Sequence, residues 1–516
     1  MNPRLRIFLV LLVVAIAGGW WLAQRHTANT SVAAAAPDVL HMGRLTLEPC
    51  SIGRKDTGVA TLRAYCTGYS VPEDRAAKGG RNLQLRVAVV PAEAAHADAD
   101  LVVFLDGGPG GAATQEYPAI AAAFAPLRRR HALLLVDQRG TGGSNPLDCG
   151  HEDDAAPAAT PAQGQGQGQG QEQSLALERL RACVARLAPH AAPQFYATAD
   201  AVEDLEDLRR ALGGPQLDLV GVSYGTRVAQ QYARRHGGAV RALVLDSAVP
   251  NDVVLGSEQS RNLEDVLLLL FARCRAAAPC ASRYDDPYRT LQQLQVRLRA
   301  HPEQLSLRDP YTFRVREQRV TADSVAQLVR VYAYSPYTAA LLPYVLHEAG
   351  SGDFAPLMGQ AQVAVGDVAD SLSGGMALSV ICAEDAGQLR VNADDAATVL
   401  GNSIGEWLLA ACTVWPHGTR APDFAEPLRA ATPTLVLAGE HDPVTPPRYG
   451  KAIVSTLPRG RLLQVAGQGH GLLGVGCMPR LVADFIRTLD ARGLDAHCLD
   501  VLAQTPPFLD ANGAGP

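Results

Sequence analysis

Gly221-Val222-Ser223-Tyr224-Gly225 sets a serine between two glycines, after an apolar run ending at Val222 and before an amphipathic pattern starting near Thr226. A sharp turn between a strand and a helix holds its apex side chain clear of the backbone, which presents a serine as a nucleophile. A hydroxyl alone is a weak nucleophile; it needs a base whose tautomer and charge are fixed by a carboxylate. Asp442, in Gly439-Glu440-His441-Asp442, and His470, in Gly469-His470-Gly471, each follow a short apolar run late in the chain, with Glu440 a rival for the acid. Acyl transfer also needs amide N–H groups aimed at the developing oxyanion. The run Gly107-Gly108-Pro109-Gly110-Gly111 is expected to provide one and Tyr224 the other. Pro109 removes an amide and no Lys-Ser/Thr pair follows, which argues against a phosphate loop. The chemistry indicated is acyl transfer through Ser223, requiring neither metal nor organic cofactor.

Positioning these residues calls for a sheet whose strand ends gather them. Short apolar runs at Leu83 to Val90, Leu101 to Leu105, Ala132 to Val136, Leu217 to Val222 and Val240 to Leu245 read as buried strands. Between two of them, Ala199 to Leu212 repeats apolar residues at helical spacing behind Thr198 as its expected N-cap and stops at Gly213-Gly214-Pro215. Strands resume at Thr434 to Leu437 and Leu462 to Val465. The fold class expected is α/β, a mostly parallel doubly wound sheet with the site at its strand C-terminal ends. The intervening stretch reads as helical at Leu263 to Arg275, Tyr288 to Leu298 and Ala322 to Tyr334, with a hairpin around Leu305 to Val320, and is taken as an inserted lid. The Gly-alternating tract Gln163 to Gln173 reads as a flexible surface loop. The expected layout is 1–28 signal peptide or membrane anchor, 29–79 linker and N-terminal segment, and 80–250 first part of the core. A helical lid at 251–427, the second part of the core at 428–500 and a tail at 501–516 complete it.

Two arginines precede the apolar run Ile7 to Ala23, the pattern of an export signal that is either cleaved or left as an inner-membrane anchor. The expected location is periplasmic or extracellular, with membrane contact only through this segment. The ten cysteines fit such a compartment, and their order suggests the pairs Cys50/Cys66, Cys149/Cys183, Cys274/Cys280, Cys382/Cys412 and Cys477/Cys498. No Cys-x-x-Cys or Cys/His spacing suits a metal. A net charge of −6 lacks the basic field that nucleic acid demands, so nucleic acid is excluded as a partner.

Together, Gly107-Gly108-Pro109-Gly110-Gly111, Asp137-Gln138-Arg139-Gly140-Thr141-Gly142, Gly221-Val222-Ser223-Tyr224-Gly225-Thr226, Gly439-Glu440-His441-Asp442 and Gly469-His470-Gly471 resemble the prolyl aminopeptidase family of α/β-hydrolases, and more closely its secreted tripeptidyl aminopeptidase branch. The resemblance spans about residues 80 to 500. It implies an α/β-hydrolase fold and a serine exopeptidase that releases tripeptides or proline-containing N-termini from peptides with a free N-terminus. It also implies the triad Ser223, Asp442 and His470, with Gly108 and Tyr224 donating to the oxyanion. One departure is Asp106, which stands where the family usually carries His. Ile381-Cys382-Ala383-Glu384-Asp385 resembles a cysteine-plus-acid motif of the tripeptidyl branch, and nominates Glu384 and Asp385 to bind the substrate ammonium. Arg139 is expected to brace loops near the site. The alternative function is a carboxylic ester hydrolase with the same triad, because fold and triad do not select the acyl substrate.

Overall fold

The computed structural model describes residues 38–54, 61–94, 96–148, 169–308, 313–359, 372–502 and 504–514. The expected signal or anchor, residues 1–28, and Cys149 lie outside the described residues.

Among the described residues, the strands are β1 (Leu40–Met42), β2 (Leu45–Ile52), β3 (Leu62–Pro72), β4 (Asn82–Val90), β5 (Leu101–Leu105), β6 (Ala132–Val136), β7 (Leu217–Val222), β8 (Val240–Asp246), β9 (Glu303–Arg308), β10 (Val315–Val320), β11 (Thr434–Gly439) and β12 (Gly460–Val465). One sheet takes the order β1-β2-β3-β4-β6-β5-β7-β8-β11-β12. From β6 to β12 neighbours run parallel. At the other end β2, β3, β4 and β6 pair antiparallel. The parallel strands β5, β7, β8 and β11 are buried on both faces, which is why they read as largely apolar runs. β3 mixes buried and exposed positions and β2 is largely exposed, so the segment read as a linker and N-terminal piece in fact extends the sheet. Cys50–Cys66 joins these two strands.

The helices before the insertion are α1 (Ala113–Arg128), α2 (Gln169–Leu187), α3 (Thr198–Ala211) and α4 (Tyr224–His236). The insertion between β8 and β11 holds α5 (Gln259–Ala276), α6 (Ala278–Tyr284), α7 (Pro287–Ala300), the β9/β10 hairpin, α8 (Ala322–Ala333), α9 (Pro336–Ala339), α10 (Leu342–Gly350), α11 (Gly374–Glu384) and α12 (Ser403–Cys412). After it come α13 (Pro447–Val454) and α14 (Met478–Thr488). One sheet face, with Phe104, Leu135, Val244 and Leu437, packs on Tyr117 and Phe124 of α1 and on Phe485 and Ile486 of α14. α4 lies against β7 and β8. The insertion has an apolar cluster of its own, built on Leu267, Phe271, Leu294, Val325, Val329 and Leu346. Cys274–Cys280 closes its α5/α6 corner and Cys382–Cys412 ties α11 to α12, while Cys477–Cys498 holds the start of α14 to the C-terminal segment. Cys183 is also disulfide-bonded.

Two local expectations change. Part of the Gln/Gly tract, from Gln169, belongs to α2, where a single glycine is outweighed by the helix-forming residues that follow it. Thr198 does not cap α3 but is its first residue. Its amide donates to Glu384 Oε1 at 2.7 Å and its hydroxyl pairs with the Tyr224 hydroxyl at 2.7 Å, so tertiary partners take the groups that a cap would use.

Arg139 is fully buried. Its guanidinium donates to both oxygens of Asp204 at 2.7 and 2.6 Å and to the carbonyls of Phe195 and Glu73 at 2.6 and 3.0 Å. It therefore fastens the β6 loop to α3 and to the end of β3. Removing one member of a buried pair leaves the other charge poorly compensated, here Asp204 with Arg75 alone, and orphans the carbonyls that Arg139 meets. Arg139→Ala is expected to lower the unfolding free energy by about 3–5 kcal/mol, read from urea denaturation. A loss below about 1 kcal/mol, the range of a surface pair, contradicts this role.

Candidate active site

Ser223 sits at the apex between β7 and α4 with φ 55° and ψ −122°, a left-handed region that a serine enters only when its surroundings enforce it. Close backbone packing does the enforcing. A Cβ on Gly225 would lie 2.1 Å from the Leu105 carbonyl oxygen, and one on Gly221 would lie 2.5 Å from that of Gly225. A larger residue at Gly225 pushes the turn off β5, and one at Gly221 pushes β7 off the first turn of α4.

The end of β11 delivers Asp442, and the loop after β12 delivers His470. His470 Nδ1 lies 2.9 and 3.0 Å from the two oxygens of Asp442. The remaining lone pairs of this carboxylate accept from the amides of Val444 and Thr445 at 2.9 and 2.8 Å and from the Thr445 hydroxyl at 2.6 Å. Burial raises the Asp442 pKa, but the charge and hydrogen bond of His470, with Thr445, bring it below the ordinary value. Burial lowers that of His470, but the charge and hydrogen bond of Asp442 outweigh it and raise the imidazole above 6.5. The rival acid, Glu440, faces elsewhere and accepts from the Gly467 amide at 2.8 Å.

Asp246, which the sequence reading passed over, connects the two halves. Its carbonyl accepts from the Ser223 amide at 2.9 Å, and its Oδ2 accepts from the amides of Leu472 and Leu473 at 2.7 and 2.9 Å. The neighbouring Ser247 hydroxyl accepts from the Gly471 amide at 2.8 Å. Burial pushes the Asp246 pKa up to about 6, against the two amides that hold the carboxylate. Its signal in the sequence is slight, an acid ending an otherwise apolar strand.

The glycine loop after β5 lies beside the serine, with the Cβ of Ser223 3.1 Å from where a Cβ on Gly107 would be. Gly107 N–H donates to Asp106 Oδ1 at 2.7 Å, Gly111 N–H donates to the Gly107 carbonyl at 3.1 Å, and Pro109 has no N–H. Among the described residues, the amides of Gly108 and Gly110 take no acceptor within this loop. Tyr224 N–H belongs to the first turn of α4, where amides have no partner within the helix. Burial of the carboxyl pushes the Asp106 pKa up to about 7, against the pull of the Gly107 amide.

The Asp137-Gln138-Arg139 motif braces the start of α1, into which this loop leads, and the helix behind the serine. Asp137 accepts from the Thr114 amide and hydroxyl at 2.8 and 2.9 Å and from the Gly143 amide at 2.9 Å, while Gln138 donates to the Tyr224 hydroxyl at 3.1 Å. Glu384 and Asp385, expected to meet a substrate ammonium, are instead buried and face Arg227 of α4, at 3.6 and 2.9 Å from its Nη1. Burial explains the difference: the chain's own guanidinium supplies the countercharge, and this helix sits directly behind Ser223. The insertion also reaches the site at two other points. Ser373 N–H donates to the Gly110 carbonyl at 3.0 Å, and His470 N–H donates to the Tyr334 carbonyl at 2.8 Å. The Tyr334 ring packs edge-on to the imidazole at 5.3 Å.

Among the described residues, one group with metal-ligating side chains gathers, Asp98, Asp100 and His131, at the opposite ends of the strands. Arg130 already bridges Asp98, and Arg241 bridges Asp100.

The sequence profile of the alpha/beta hydrolase fold matches residues 100–476. A tripeptidyl aminopeptidase of Streptomyces coelicolor is 24% identical over 469 residues, covering 84% of this chain and 82% of the relative. Serine protease Hip1 of Mycobacterium tuberculosis is 26% identical over 317 residues, covering 56% of this chain and 59% of its own. The solved structure of a proline iminopeptidase from Mycobacterium smegmatis aligns with 82% of this chain and 99% of its own, at 17% identity and a TM-score of 0.39.

A base must be neutral to accept a proton, so activity on a nitrophenyl ester is expected to fall as acid protonates His470, with a midpoint above 6.5. Asp442→Asn removes the charge that raises this pKa while burial still lowers it. The acid limb of kcat/KM then moves to lower pH and kcat drops by about 10⁴-fold. An acid limb that Asp442→Asn leaves in place contradicts the pairing.

Proposed function

The chain belongs to the alpha/beta hydrolase family, and on that premise we propose that it is a serine peptidase releasing N-terminal residues, as tripeptides or proline-containing N-termini, from peptides with a free amine. The observation that carries this reading is the His470 imidazole held by both oxygens of Asp442 at 2.9 and 3.0 Å, joined through Asp246 to the strained Ser223 turn. The names borne by the Streptomyces and Mycobacterium relatives support a peptide as substrate.

In this mechanism His470 Nε2 takes the proton of Ser223 Oγ as the oxygen attacks the scissile carbonyl. The Asp442 carboxylate stabilises the imidazolium that forms, without taking the proton itself. The amides of Gly108 and Tyr224 meet the oxyanion. His470 then returns the proton to the leaving amine, the carbon–nitrogen bond breaks, and a water deprotonated by His470 hydrolyses the acyl-enzyme. The inserted helices cover the strand ends and limit access to short or unfolded N-termini.

Export is part of the proposal. It is supported by the basic and apolar N-terminal sequence and by the disulfides, which form and persist in oxidising compartments. Among the described residues no helix is long and apolar enough to cross a membrane.

The test compares p-nitroanilide release from a free-amine tripeptide, a single amino acid and an N-acetylated tripeptide. Preference for the free-amine tripeptide, abolished by acetylation and reduced about 10⁴-fold or more in Ser223→Ala, is the expected result. Indifference to acetylation, or turnover of short acyl esters alone, contradicts the aminopeptidase reading.

A further inference from the structure

His470 has a cation beside it that the triad chemistry does not use. Arg330 lies in the last turn of α8, and its Nη2 donates to the Tyr334 hydroxyl at 3.2 Å. Its guanidinium carbon stands 5.8 Å from the Tyr334 ring centroid, and that ring in turn packs on His470 at 5.3 Å. The three side chains form one stack leading from the inserted helices to the imidazole. Among the described residues Arg330 has no carboxylate partner, in contrast to the other arginines at the site, Arg139 and Arg227, which are both buried on acids. It is half-buried, so its charge is held against Tyr334 and still meets solvent. Charges that act on His470 are Asp442 from the β11 loop, Asp246 from the end of β8 and Arg330 from α8, with the Thr445 hydroxyl 3.3 Å from Nδ1. The two acids are fully enclosed and already hydrogen-bonded, so Arg330 is the charge of this set that remains for a substrate.

Its position assigns the side it serves. The group that protonates a leaving amine must lie on the leaving-group side of the scissile bond. Arg330 approaches His470, whereas the glycine loop and its oxyanion donors are approached by Leu372 and Ser373 of the insertion. A planar guanidinium with an open face recognises carboxylates through paired N–H donors.

We infer that Arg330 is a binding site for a carboxylate carried by the leaving part of the substrate, held to His470 through Tyr334. The carboxylate has two sources, the free C-terminus of a short leaving fragment or an acidic side chain next to the cleaved bond. The inference rests on the peptidase reading and adds a specificity on the far side of the cleaved bond.

The experiment measures kcat/KM for two peptide pairs with free N-termini. One pair is tetra-alanine ending in a carboxylate or in an amide; the other is a longer, C-terminally amidated peptide with Glu or Gln at the fourth residue. The expected result is a preference of about ten-fold for the carboxylate member of at least one pair, expressed in KM. Preference in the first pair identifies the C-terminus and in the second the acidic side chain. Arg330→Gln is expected to bring the ratio close to one, and Arg330→Lys to keep part of it. Equal rates within both pairs for the wild-type protein, or an Arg330→Gln variant that keeps the wild-type ratio, overturns the inference. Should Arg330→Gln fail to fold, the wild-type ratios and Arg330→Lys still decide. A wild-type protein that cleaves none of the four peptides but hydrolyses acyl esters overturns the peptidase reading, and this inference with it.

Discussion

A carboxylate buried at the end of one strand holds the two halves of the site together. Asp246 is 1% exposed and accepts two amides of the histidine loop, while its own carbonyl accepts the amide of the serine turn. Burying a charge is costly unless hydrogen bonds replace its hydration. Here the replacement comes from loop amides that are themselves removed from water and need acceptors. The cost of each group is offset only if the other is in place, so the His470 loop has one low-energy position relative to Ser223. A β8 ending in an apolar residue would leave those amides orphaned and the loop without a register.

The same principle extends outward. The Asp137 carboxylate collects the Thr114 amide of α1 and the Gly143 amide of its own loop, Arg139 joins that loop to α3, and Arg227 joins α4 to the inserted segment through Glu384 and Asp385. Each places a charged group where only its partner makes it tolerable, so errors in loop position are penalised steeply. The insertion has its own apolar cluster and disulfides, yet it returns to the strand ends through Tyr334, Ser373 and Glu384. Fold and access to the site are therefore coupled through these polar contacts.

What could be read in the sequence follows from the range of the interactions. Ser223, Asp442 and His470 stood out because glycine-flanked turns after apolar runs are local patterns, and the parallel strands stood out because burial on both faces leaves largely apolar stretches. β2 and β3 were missed because one face of each meets solvent, which breaks the run. The role of Asp246 was invisible because its partners lie more than two hundred residues away in the chain, at Leu472 and Leu473. Glu384 and Asp385 were assigned to a ligand for the same reason: their real partner, Arg227, lies 158 residues from Asp385, and a sequence shows an acid without its countercharge.

On the proposed reading, this framework turns one serine into a nucleophile. The most direct test is to incubate the protein with a fluorophosphonate and locate the adduct by mass spectrometry of its peptides. A single adduct is expected on the peptide carrying Ser223, formed more slowly as the pH is lowered through the His470 pKa. An adduct on another serine, or a hydrolytically active protein that the probe leaves unmodified, would contradict it.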